Sequence, residues 1–420
     1  AGSLTGAEIG PGWMSPARHA YLSAFQSWHR LVADGLEPAV RPRVPRMRAF
    51  AAPRGLAGDA GLRRSSYDVI LAGDWRAGGD IAWPVAERVL ALVEPGRTVA
   101  VLHLDTLAGV AGKPAGLDPA LQQMINTGIV DQVVLADDVH ARLVLVHDPA
   151  VLGFAPGTPS AIRAAKVVIE AAPAWLPAAA HCASEARRLF SVEPHWAPTD
   201  RAGRDEVAAV LTRVTTVDVP GTVDLRRWRL HRSGPRADRP VIGRVHTGGP
   251  ADWRRLTEAL GGTTVDVRVL ALTPPDRPAP DGWLVYHPSD VDIRGFLHQL
   301  DFYLYLPSDE PATVTCPEIL TAMAAGCIPL LPHGHAAVFG PAALYADPAE
   351  IAETAGSLHR GPAALLTQSE RGRRFLEDHH QHRHYADAVA ALLKPAPTSA
   401  DEVITGEIML ALPSGEIVTL

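Results

Sequence analysis

The sequence predicts an α/β chain of two doubly wound, parallel-sheet lobes in series, facing one another across a cleft. From Tyr67 onward, short apolar runs alternate with helical stretches, the pattern of strand–helix–strand units. The runs are continuous in Val, Ile and Leu (VAVLHL, ARLVLVHDP) and do not alternate with polar residues, as strands buried on both faces require. An Arg-rich, irregular stretch from Pro220 to Pro240 then separates this series from a second one. At ~100 to 200 residues per domain, 420 residues suit two such lobes with extensions.

Residues 4–60 form an N-terminal extension with one helical stretch, Ser15 to Ala33, whose aromatics Tyr21, Phe25 and Trp28 pack it on a lobe, followed by a Pro- and Arg-rich connector. The first lobe, 61–220, carries strands at Tyr67–Ala72, Thr98–Leu104, Gln132–Ala136, Arg142–Val146 and Lys166–Ile169, with helices at Ile81–Val93 and Leu117–Thr127. Residues 221–239 are the linker. The second lobe, 240–370, carries strands at Val241–Val245, Val265–Leu270, Trp283–Tyr286, Phe302–Leu306 and Cys327–Leu331, with helices at Asp252–Leu260, Val291–Leu300 and Pro317–Ala325. A helical run to Leu393 (371–394) crosses back to the first lobe. The tail, 395–420, ends in a hairpin over Val403–Leu420 that turns at Pro413–Gly415.

Composition narrows the function. Net charge is −7, and the 39 basic residues form no run that could track a phosphate backbone, which argues against nucleic acid. The longest stretch without Asp, Glu, Lys or Arg, Ile319 to Ala346, holds glycines, prolines and two histidines, so no transmembrane span is expected. The segment through Trp13 lacks the charged start and apolar core of a secretory signal, and Cys182, Cys316 and Cys327 show no CxxC spacing. The expected location is the cytoplasm.

Ligands of open α/β sheets bind beyond the carboxyl ends of strands, so the loops after strands hold the candidate chemistry. In the second lobe one such loop runs through Gly243, Arg244, His246, Thr247 and the Gly248-Gly249 pair; its arginine suits phosphate. The alternative is an arginine ion-paired at a strand end beside a glycine turn. Another loop, Pro307 to Pro332, feeds a helix started by a capping box, Thr315 with Glu318, and by Pro317. Its N-terminus is an anion site, and Glu318 has the cap as its structural explanation. In the first lobe Asp74 and Trp75 follow one strand, His103 and Asp105 end the next, and His147 and Asp148 end a later one. These residues are candidate hydroxyl ligands or a catalytic base, with caps and turns as the alternative. The run Asp378 to His384 (DHHQHRH) reads as a metal site or as a solvated helix face; no third ligand cluster accompanies it, and no metal is expected.

The run DFYLYLPSDEPATVTCPEILTAMAAGCIPLLPHGHAAVFGPAALYADPAEI, Asp301 to Ile351, resembles the donor-binding stretch of GT-B glycosyltransferases of the family 4 type, and VIGR, Val241 to Arg244, resembles their diphosphate-contacting Gly-Arg loop. VILAGDWRAGG, VAVLHLD and INTGIVDQV are similar to the acceptor lobe of actinobacterial members, so the likeness spans roughly residues 65 to 393. It implies a hexosyltransferase that moves sugar from a nucleotide-diphosphate donor to a hydroxyl acceptor. Configuration would be retained, without metal or other cofactor, in carbohydrate biosynthesis.

On this likeness Gly243, Arg244, His246, Thr247, Thr313, Val314, Thr315, Glu318 and Thr321 bind the donor. Asp74, Trp75 and His147 hold the acceptor, and Arg244, Asp105 and His103 carry catalysis. Three positions depart from the family. Its Glu-x7-Glu pair falls on Thr313 and Thr321, since Glu310 and Glu318 have the spacing in the wrong register, and its diphosphate lysine falls on Asp252. These departures motivate an alternative, a chain that has lost catalysis and serves as a binding or partner subunit. A further alternative is an inverting enzyme with His103, Asp105 or His147 as base. Homo-oligomer and partner subunit are both open.

Overall fold

The computed structural model describes residues 64–76, 82–106, 116–153, 155, 159–171, 173–246, 250–272, 274–306 and 317–394, with the backbone of 409–411 and 417–419. The N-terminal extension lies outside the described residues.

The first sheet contains β1 (Ser66–Gly73), β2 (Val99–His103), β3 (Asp131–Val133), β4 (His140–Val146), β5 (Arg163–Ala164), β6 (Val167–Ala171) and β7 (His195–Pro198). Its order is β3-β2-β1-β4-β6-β7, with β5 beside β4, and every pairing is parallel. Val69 and Leu71 of β1 enter the core on one face, while Ile70 and Ala72 enter that on the other. Burial on both faces accounts for the unbroken apolar runs. The flanking helices are α1 (Ala82–Val93), α2 (Pro119–Asn126), α3 (Ala179–Phe190) and α4 (Arg201–Val210). Asp118 caps α2 through the Leu121 N–H with Pro119 at the first position, and Asp200 caps α4 through the Gly203 N–H.

The linker holds one short helix, α5 (Leu225–Trp228). The second sheet contains β8 (Val241–His246), β9 (Asp266–Ala271), β10 (Leu284–Tyr286), β11 (Phe302–Leu304), β12 (Ile328–Leu331) and β13 (Leu344–Tyr345). Its order, β10-β9-β8-β11-β12-β13, repeats the plan of the first, again all parallel. Its helices are α6 (Pro250–Leu260), α7 (Ile293–His298), α8 (Pro317–Ala324), α9 (Ile351–His359) and α10 (Pro362–His379).

The helical run expected from Glu370 to Leu393 is two helices, because the chain breaks at His380 before α11 (His382–Leu393). Tyr385, Val389 and Leu392 of α11 join the first lobe's core beside α1, so the chain does cross back. The histidine run spans this joint, with Asp378, His379 and Arg383 exposed. His380 and His382 are buried, the Nδ1 of His380 donates to the Gly221 carbonyl at 2.9 Å, and its own carbonyl accepts from the Val223 N–H at 2.9 Å. One carboxylate of α1 ties both crossings between lobes. Glu87 accepts from the Asp224 N–H at 2.8 Å, the Trp228 indole at 3.2 Å and His382 Nε2 at 2.9 Å.

The tail pairs β14 (Met409–Ala411) with β15 (Ile417–Thr419), antiparallel, Met409 opposite Thr419. Among the described residues no helix is long and apolar enough to cross a membrane, and no group of His, Cys, Asp or Glu could hold a metal. Cys182 and Cys327 are buried free thiols, and Cys316 lies outside the described residues.

Candidate functional site

In each sheet the two central strands feed connections that leave in opposite directions, which opens a crevice beyond their carboxyl ends. In the first sheet these are β1 and β4, in the second β8 and β11. The chemistry expected from the sequence therefore falls at two equivalent points.

At the first, Asp74, Trp75 and Arg76 follow β1. Trp75, expected to contact an acceptor, is fully buried. Its indole folds back over Gly73, where a Cβ would lie 2.5 Å from the ring, donates to the Leu102 carbonyl at 3.0 Å and stacks on His147 with centroids 5.9 Å apart. It is a wall of the crevice. Asp74 accepts from Arg76 and from the Thr106 hydroxyl at 2.7 Å; Arg76 also reaches Asp105 at 3.3 Å. Burial works against charge on Asp74, but these hydrogen bonds and the Arg76 charge hold its carboxyl below the ordinary value. His103 Nδ1 accepts from the Trp75 N–H at 3.2 Å, and its Nε2 meets Asp105 at 3.3 Å, so both ring nitrogens are engaged. Asp105 is 38% exposed at the rim.

After β4, His147 Nδ1 meets Glu170 of β6 at 2.8 Å, and Glu170 is in turn ion-paired to Arg88 of α1. The arginine lies over the Tyr385 ring, 5.1 Å to the centroid. Glu170 is 2% exposed; against that burial, the Arg88 charge and the His147 contacts hold it ionised. Burial, then the Arg88 charge, lowers the pKa of His147. Burial, then the charges of Asp74 and Glu170, pushes the Asp148 carboxyl up to about 6.

At the second point, Arg244 of β8 donates to the Leu306 carbonyl at 3.0 Å and pairs with Asp252 of α6 at 2.6 Å. The other Asp252 oxygen meets His246 Nδ1 at 2.8 Å. Burial opposes charge on Asp252, yet the His246 hydrogen bond and the Arg244 charge keep its carboxyl below the ordinary range. Here the imidazole is the deeper member, 1% exposed, while the arginine side chain is 12% exposed. His246 packs edge-on against Trp253, 5.2 Å between centroids. Glu318, in the first turn of α8, accepts from the Tyr303 hydroxyl at 2.6 Å, and burial followed by the Glu318 charge raises the tyrosine's pKa well above its usual value.

Several expected ligands thus have structural partners. A Cβ at Gly243 would meet the Leu300 side chain at 2.4 Å, so packing of β8 on Leu300 demands this glycine. The Thr321 hydroxyl donates to the Pro317 carbonyl at 2.9 Å. Thr247, Thr313, Val314 and Thr315 lie outside the described residues. The sequence pattern did not single out Arg88 or Glu170, and Asp252 entered only as a departure from the family pattern. Glu170 did leave a signal: a lone carboxylate inside the strand run VVIEA.

No protein-family model matches the sequence, and no curated protein matches it. Solved structures do. A glycosyltransferase from Rickettsia africae ESF-5 is similar with a TM-score of 0.52 over 78% of this chain and 98% of its own, at 8% identity. This is the GT-B fold. The glycosyltransferase SnogD from Streptomyces nogalater covers 79% of this chain and 100% of its own at 14% identity, with a TM-score of 0.41. At such identities the likeness extends to the fold alone.

Proposed function

We propose that the chain is a glycosyltransferase, moving a sugar from a nucleotide-diphosphate donor bound in the second lobe to a hydroxyl acceptor held by the first. The observation that carries this reading is the paired arrangement at the two switch points, with a partly exposed guanidinium at one and a partly exposed imidazole at the other. Arg244 and the start of α8 would stabilise the leaving diphosphate, a task that an exposed helix N-terminus and a fixed cation can perform without a metal. Thr313, Thr315 and Thr321 would line the sugar and ribose pockets in place of the family's carboxylates. The resemblance to family 4 also suggests a hexosyl donor and retention of configuration, with the leaving phosphate oxygen taking the acceptor's proton. Assay of donor hydrolysis and transfer across a panel of nucleotide sugars tests the reading. Absence of both, with the circular dichroism of a folded α/β protein, would refute it.

A second reading, a partner subunit without catalysis, is favoured by one observation: the cation meant for the diphosphate is already neutralised by Asp252. Calorimetric titration with nucleoside diphosphates separates the two. Binding lost in Arg244→Ala supports the enzyme, and no binding to any of them supports the partner subunit.

A further inference from the structure

At the amino ends of β1, β4 and β5, opposite the crevice, the first lobe has a groove of about 310 Å³ lined by Tyr67, Thr98, His140, Arg142, Arg163 and Ala165. Its rim is basic. Arg142 and Arg163 are 61% and 59% exposed, each paired with one aspartate, Asp68 at 2.9 Å and Asp138 at 2.6 Å. Arg64, two residues before β1, is equally exposed. Solvent-exposed pairs of this kind are weak, and a guanidinium has more N–H donors than one carboxylate can use, so both rim arginines keep capacity for a second anion. Among the described residues β5 pairs with β4 alone, which leaves its outer edge without a strand.

Two segments of the chain meet this end of the lobe. One is the connector before β1, whose stretch Pro38–Arg54 holds five arginines and no Asp or Glu, so the rim repels it. The other leaves α11. Lys166, one residue past Ala165 of the groove, donates from Nζ to the Leu392 carbonyl at 3.0 Å, which fixes the last turn of α11 beside the groove. The residues that follow, 395–420, contain four carboxylates, Asp401, Glu402, Glu407 and Glu416, and no Lys, Arg or His. Asp401 is seven residues past Lys394, a span of up to ~25 Å for an extended chain and enough to cross the groove. We propose that this acidic tail docks in the groove, with Asp401 and Glu402 on Arg142 and Arg163, and so straps the end of the crossover helix to the first lobe. The contact also tethers the β14–β15 hairpin, which as an isolated two-stranded unit is marginal. It does not depend on the glycosyl-transfer reading, because the crevice lies at the other end of the strands.

The test is zero-length carbodiimide cross-linking of the 420-residue chain, a reaction that joins a carboxylate only to an amine in contact with it. The sequence has three lysines, Lys113, Lys166 and Lys394, so Arg163→Lys keeps the rim charge while adding an amine there. Peptide mass spectrometry of this variant should find position 163 joined to Asp401 or Glu402 within one chain. The yield should fall ~10-fold in 1 M NaCl, where the screening length is ~3 Å. A second measurement needs no cross-linker. Cleavage after Glu402 by a glutamate-specific protease should be ~10-fold faster in the Arg142→Gln, Arg163→Gln double variant than in the wild type, because proteolysis follows the population of the undocked tail. No link at position 163, a link formed only between two chains, or equal cleavage rates would overturn the proposal.

Discussion

Each lobe places an arginine, a carboxylate and an imidazole at its switch point, but in opposite orders of depth. In the first lobe Arg88 and Glu170 are buried and His147 is the outermost member; in the second His246 is buried, beside an Arg244 that is 12% exposed. In each trio the carboxylate contacts both other members, from β6 in one lobe and from α6 in the other. One scaffold with one set of side-chain types therefore leaves an imidazole as the most exposed of the three in one lobe and a guanidinium in the other.

The largest effect that could break this comparison is on stability. Glu170→Leu leaves Arg88 buried without its anion and should cost about 3–5 kcal/mol in urea unfolding, whereas Arg88→Met with Glu170→Leu should recover most of that loss. A double variant as unstable as the single would mean that the ion pair is itself a prop of the fold.

Asp148 supplies the next. Its folded-state pKa is raised from 3.8 to about 6, so its neutral form is favoured in the fold. The stability gained from the neutral carboxyl is present at low pH and lost as pH rises through about 6, and the cost above that reaches at most ~3 kcal/mol. Asp148→Asn can keep the bond from the Ala150 N–H while removing the charge. It should be more stable than the wild type at pH 8 and indistinguishable from it near pH 4, as thermal unfolding at the two values would reveal. Equal stabilities at pH 8 would contradict the assigned environment.

In the second lobe, Arg244→Ala should weaken nucleoside diphosphate binding by roughly 1.5–3 kcal/mol, the worth of a charged hydrogen bond, in calorimetric titration. Asp252→Asn should strengthen it by ~1 kcal/mol, because the arginine keeps its hydrogen-bond partner and loses a competing charge. Weaker binding in Asp252→Asn would make Asp252 an aid to the diphosphate rather than its competitor.

Much of the fold was legible because strands buried on both faces leave unbroken Val, Ile and Leu runs, as in β1 and β4. β7 (HWAP) and α3 were not. β7 has one large apolar residue and a proline, and α3 fills half of its buried positions with small residues, Ala179, Cys182 and Ala186. The break at His380 was hidden for a different reason. Helical periodicity continues through it, and contacts to Gly221 and Val223, 159 and 157 positions away, impose the joint. At the candidate site, Arg244, His103, Asp105 and His147 all lie at or just after the carboxyl ends of strands, where the sequence pattern put them. Their partners were less visible. Arg88 looks like the polar face of an amphipathic helix, and whether Trp75 faces a ligand or plugs its own crevice depends on how the chain turns after Gly73.

The central claim is that the second lobe receives the anionic donor and the first the neutral acceptor. A crystal structure with a bound nucleoside diphosphate tests it most directly. The account predicts phosphate density between the Arg244 guanidinium and the start of α8; density beside Asp74 and His147, or a second-lobe crevice that excludes the ligand, would contradict it.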